Sequence, residues 1–149
     1  MTLIDYNAQF CDEATITATV ANAIVGDVYD TGATPTLKDI GLNAKPMYLV
    51  ISIDEAVTSN GSATVAFTLL SDSTANLATS ATTHINTGDI AKATLVKGYK
   101  MIYPLPPGNY ERYMGLFAET KTQTLNAGTV SAYLTMDPPK WTALPDGLA

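Results

Sequence analysis

Few side chains in this sequence carry reactive chemistry, and most of them stand alone. His84 is the only histidine, so a serine–histidine–aspartate hydrolase would have to be built around it. No Gly-x-Ser-x-Gly turn is there to present a nucleophile, and a strand-edge or loop histidine is the favoured reading. Cys11, the only cysteine, is followed by Asp12 and Glu13; their charge disfavours a thiolate and leaves an inert, partly buried thiol. A single cysteine also excludes an intramolecular disulfide and a cysteine-based zinc site. The acid pairs Asp12-Glu13 and Asp54-Glu55 are adjacent in sequence. On strands their side chains point to opposite faces and cannot flank one glycosidic bond. Asp27 and Asp30 near Gly32 are candidates for a calcium loop, but the EF-hand spacing is absent and solvated acids are favoured. Phosphate-cradling and dinucleotide fingerprints are missing too. The expectation is no catalytic residue, no cofactor and no metal.

One segment suggests recognition. Pro104-Leu105-Pro106-Pro107-Gly108-Asn109-Tyr110-Glu111-Arg112-Tyr113 holds the sole arginine between two tyrosines, after a rigid turn. Arginine offers a bidentate fork and tyrosine a large ring at small entropic cost, which makes both favoured contact residues. The plainer reading pairs Arg112 with Glu111 or another local acid at the start of a strand.

The elements that would hold these residues are strands. Residues 15–20 alternate strictly, with Ile16, Ala18 and Val20 on one face. Residues 47–54 place Met47, Leu49, Ile51 and Ile53 on one side, and residues 63–70 do the same with Ala63, Val65, Phe67 and Leu69. Asn60-Gly61 lies between those two runs, so 47–70 reads as a β-hairpin closed by a tight reversal. Residues 112–118 are apolar on both faces, which fits a central strand or one at a subunit contact. Residues 129–136 alternate cleanly, and 99–103 form a shorter run ended by Pro104. Weaker strands are expected at 24–29 and 77–85. Only 89–97 looks helical, from the capping acid Asp89 to Gly98, a residue type that often ends helices.

Composition agrees. Twenty-two threonines and twenty alanines accompany few helix formers, and a β-branched threonine suits a half-exposed pleated surface. With 149 residues and 46% hydrophobic content, one domain with a real core is expected. The arrangement predicted is an all-β antiparallel two-sheet sandwich of jelly-roll type over residues 15–136, with an N-terminal arm at 1–14 and a proline-rich C-terminal arm at 137–149. Leu3, Tyr6 and Phe10 in the first arm and Trp141 in the second are apolar groups in need of burial, on the sandwich or on a neighbour. Eight lysines and arginines against a net charge of −6 exclude a phosphate-binding surface and hence a nucleic-acid partner. No apolar run approaches the ~20 residues of a membrane span.

A family resemblance extends this reading. The chain resembles the capsid cement (decoration) proteins of tailed bacteriophages, in particular the Bordetella podovirus type. The stretches that carry it are DYNAQFCDEATIT from Asp5, VGDVYDTG from Val25, the run from Met47 to Ser73, the run LVKGYKMIYPLPPGNYERYMGLFAE from Leu95, AGTVSAYLTMD from Ala127 and the tail KWTALPDG. The resemblance implies a jelly roll on the outer surface of an icosahedral head, made in the host cytoplasm. Its partner would be the major capsid protein, and its copies homodimers at two-fold positions, with homotrimers as the other arrangement. It implies no catalytic residues. An acidic chain would be repelled by packaged DNA, which also favours the outside of a shell. On this reading Leu3, Tyr6, Phe10, Tyr110, Arg112, Tyr113 and Trp141 are the contact residues expected at the capsid or subunit interface. A carbohydrate-binding jelly roll of a phage tail or adhesin shares the fold, and a glycosidase would need a converging acid pair.

Overall fold

The computed structural model describes residues 8–16, 22–32, 46–78 and 80–138. Ten strands form along them: β1 (Gln9–Thr15), β2 (Asn22–Ile24), β3 (Tyr29–Asp30), β4 (Tyr48–Thr58), β5 (Thr64–Asp72), β6 (Thr82–Asn86), β7 (Ile90–Ala91), β8 (Lys100–Pro104), β9 (Tyr113–Lys121) and β10 (Ala127–Thr135). They build two antiparallel sheets. The four-stranded sheet runs β1-β10-β4-β8, and the six-stranded sheet runs β2-β9-β5-β6, with β3 also on β9 and β7 also on β5. With β2 and β3 sharing one position, and β6 and β7 another, each sheet is four positions wide and the chain winds between them as a jelly roll.

Alternation explains the core. Leu49, Ile51 and Ile53 of β4 and Val130, Ala132 and Leu134 of β10 face Val65, Phe67 and Leu69 of β5 and Met114, Leu116 and Ala118 of β9. All of these are buried, so each sheet removes one apolar face from water against the other. Leu95, Leu105, Tyr110 and Leu125 close the core from the connecting loops. β9 is central, as its two apolar faces suggested. Its outward face is covered at Gly115, where an added Cβ would strike Leu77 Cδ1.

Several local expectations are corrected. Residues 47–70 are not a hairpin: β4 pairs with β10 and β8, whereas β5 pairs with β9, β6 and β7. Neither Asn60 nor Gly61 takes the positive φ that a tight two-residue reversal requires. The 59–63 link is instead a corner from one sheet to the other. It is braced on the parallel corner before β10 by Ser59 Oγ donating to Thr124 O at 2.8 Å and Asn126 Nδ2 donating to Asn60 Oδ1 at 2.8 Å. Two strands that bury one core from opposite sheets alternate just as hairpin partners do, so the pattern alone does not separate the cases.

Residues 89–97 are not helical either. Ile90 and Ala91 pair with Val65 and Thr64 as β7. A tight turn follows, with Thr94 N donating to Ala91 O and Leu95 N to Lys92 O. Gly98 does adopt the left-handed conformation, at φ 85°, but in a second turn closed by Tyr99 N donating to Val96 O, and the edge of β5 overrides local propensity. The first strand begins at Gln9, so 9–14 belongs to the sandwich and not to an arm; residues 17–20 lie outside the described residues. The 24–29 run is split by Gly26 at φ 74°. A side chain there would collide with Phe10 O and Cys11 Cβ, and the bend lets Asp27 N reach Phe10 O at 2.7 Å.

Candidate functional site

The segment singled out for recognition enters β9 from a proline-stiffened loop, and its residues divide by exposure. Tyr110 is 2% exposed. Its hydroxyl donates to Pro106 O at 2.6 Å, and its ring stacks on His84 with centroids 4.0 Å apart. Burial raises its phenol to about 12. Two residues on, Arg112 lies at the surface with its side chain 39% exposed. Its Nε and Nη2 donate to the two carboxylate oxygens of Asp30, each at 2.8 Å, and its guanidinium lies 4.9 Å from the Tyr113 ring centroid. Those hydrogen bonds to Asp30 raise the guanidinium above its ordinary value. The partner acid is therefore not Glu111, which accepts Thr82 Oγ1 at 3.2 Å. β3 sits beside the start of β9, pairing Asp30 with Tyr113, and so brings Asp30 to Arg112 across 82 positions of sequence. Asp30 also accepts the Gly32 amide at 2.8 Å, an Asx turn that its spacing to Gly32 could have signalled.

Phe10 is 1% exposed and part of the core, so it and Tyr110 are internal supports with no ring free at the surface. Leu3, Tyr6 and Trp141 lie outside the described residues.

A serine–histidine pair does exist. Ser71 Oγ lies 2.7 Å from His84 Nε2. The serine is fully buried and also accepts the Glu111 amide at 3.1 Å, so its oxygen is enclosed and committed to the fold. Next to it Asp72, also fully buried, gathers Ser73 Oγ, Thr74 N, Thr74 Oγ1 and Ser80 Oγ. Burial pushes this carboxyl up, but the hydrogen bonds from Thr74, Ser80 and Ser73 together hold it below its ordinary value. Asp72 thereby curls the loop that lays Leu77 over Gly115. The run Asp72-Ser73-Thr74 carried that signal, since short polar side chains of this kind bond their neighbouring backbone.

Sequence adjacency also concealed one meeting of acids. Asp12 of β1 and Asp54 of β4 converge across β10 on Ser131, whose hydroxyl lies 2.6 Å from Asp54 Oδ2 and 3.3 Å from Asp12 Oδ1 and accepts the Glu13 amide at 3.0 Å. A cleft of about 730 Å³ nearby is lined by residues that include Asp12, Asp27 and Asp30. Cys11 in its lining is raised to about 12, by burial first and then by Asp54, Asp12 and Asp27, against a backbone hydrogen bond from Ala132 that lowers it. Its thiol donates to Val130 O at 3.3 Å. What these groups do is hold strands together.

Fold and site thus define a jelly roll in which Asp30, Ser71, Asp72, Arg112 and Ser131 are engaged with neighbouring residues. The model of the Bbp16 family matches residues 10–134, and the chain belongs to that family. Bbp16 is a protein of Bordetella phage BPP-1 of the cement or decoration type, the type that the sequence resembles. No curated protein matches the chain.

Proposed function

We propose that this chain is a structural virion protein. It seats on the outer surface of the phage head, bridges neighbouring major capsid subunits and holds them against the pressure of packaged DNA. The match to the Bbp16 family across residues 10–134 carries the reading. A net charge of −6 supports the outer side of the shell, away from the polyphosphate inside. Two sheets around one continuous core make a stiff body, and stiffness is what a clamp needs. Copies that each bury on the order of 1,000–2,000 Å² reinforce a lattice collectively. The arrangement proposed is a homodimer at two-fold positions.

Arg112 and Tyr113 are the contact residues in this reading that combine partial exposure with a rigid mount: the guanidinium is fixed by Asp30 and lies over the Tyr113 ring. Leu3, Tyr6 and Trp141 are proposed as terminal contacts. The test is cosedimentation of the purified chain with undecorated heads. Wild type should pellet with the heads, and the Arg112→Ala/Tyr113→Ala double variant should do so several-fold less while melting at the wild-type temperature. Equal occupancy by both would remove these two residues from the contact, and no pelleting by wild type would overturn the function.

A further inference from the structure

The 105–112 loop meets the six-stranded sheet around the chain's single histidine. Ser71 on β5 is fully buried; its oxygen accepts the Glu111 amide at 3.1 Å and lies 2.7 Å from His84 Nε2 on β6. A hydroxyl has one hydrogen to give, and Nε2 is the acceptor placed to take it. The neutral ring with its proton on Nδ1 completes a relay from Glu111 N–H through Ser71 Oγ–H to His84 Nε2. Protonation puts a hydrogen on Nε2 as well. Two donors then face the serine oxygen, and the hydroxyl hydrogen loses its acceptor in a buried position, which is unfavourable. The ring is held in place by its stack on Tyr110, whose hydroxyl is tied to Pro106 O.

We propose that His84 is a proton-operated latch: neutral, it fastens the segment 110–112 to the six-stranded sheet, and protonated, it loosens that segment. The surrounding charges are accounted for. Asp72, next to Ser71, is turned into its own loop by Ser73, Thr74 and Ser80, and Arg112 is held by Asp30. Glu111, bonded to Thr82 of β6, is the charge that acts on the ring and favours the cation. Burial outweighs it and lowers the histidine from its ordinary value of 6.5. The unfolded chain therefore takes up the proton first. The stabilisation from the neutral ring is complete above about pH 6.5 and is lost as pH falls through the folded value. This inference does not depend on the partner proposed above.

The test is an NMR pH titration of the full chain. The His84 ring should titrate below 6.5, and the Glu111 amide and Tyr110 ring signals should move with the same midpoint. Exchange of the Glu111 amide, corrected for intrinsic rate, should rise about tenfold below it, the protection of one hydrogen bond. Glu111→Gln should move the midpoint lower, because it removes the charge that favours the cation. His84→Gln, whose amide oxygen can accept the Ser71 hydroxyl without titrating, should abolish the step. A ring midpoint at or above 6.5, or loop signals indifferent to it, would overturn the latch. Should His84→Gln fail to fold, the wild-type titration and Glu111→Gln decide the matter.

Discussion

Two pairs of residues named from the sequence as expected interface contacts end in opposite environments. Phe10 and Tyr110 are 1% and 2% exposed, one packed in the core and the other closing it from a loop. Arg112 and Tyr113 stand at the surface, braced by Asp30 from β3. Tyr110 and Arg112 are only two positions apart, yet one supports the sandwich and the other lies at its surface. Residue type marks the capacity for contact, and burial decides whether that capacity is used inside or outside.

The comparison can be broken by mutation. Phe10→Ala should cost the most, about 3–5 kcal/mol by chemical denaturation, because it empties a packed core position. Gly115→Ala should cost about 1–3 kcal/mol through overpacking against Leu77, and Leu77→Ala introduced with it should recover part of the loss. Tyr110→Phe should cost about 1 kcal/mol, the hydrogen bond to Pro106 O. Thr120→Val should act in the other direction. Thr120 is 1% exposed and its hydroxyl has no hydrogen-bond partner among the described residues, so an isosteric methyl should raise stability by about 1 kcal/mol. Arg112→Ala should leave the melting temperature nearly unchanged, since its ion pair with Asp30 is exposed. If Arg112→Ala unfolds the chain while Phe10→Ala does not, the division between support and surface is wrong.

Strand identity was legible in four alternating runs; of the run at 15–20 only Thr15 falls in a strand, Ile16 follows its end and 17–20 lie outside the described residues. The runs at 47–54, 63–70, 99–103 and 129–136 all became strands within a few residues, and the apolar back of 112–118 foretold a central position for β9. Pairing was not legible. Asn60-Gly61 signals a reversal, but whether the chain reverses within a sheet or turns a corner between sheets depends on edges supplied by β8, β9 and β10, far away in sequence. The helix expected at 89–97 failed for the same reason, since β5 offered β7 an edge that two turns of weak propensity could not match. At the candidate site, the sequence marked Tyr110, Arg112 and Tyr113 together as contact types, and an acid partner for Arg112 was the other reading. The partner Asp30 and the meeting of Asp12 with Asp54 at Ser131 were not legible, because they join strands remote in the chain, and the Ser71–His84 contact between the successive strands β5 and β6 depends on a shifted register that spacing does not give. Local spacing records turns such as those at Asp30 and Asp72, whereas contacts across a sheet are fixed by register.

Electron cryomicroscopy of undecorated heads, imaged with and without the purified chain, tests the assignment most directly. The expected image with the chain present has added density on the outer surface, of sandwich size, bridging adjacent capsid subunits. Heads that look the same in both samples, or added density on the inner surface, would contradict it.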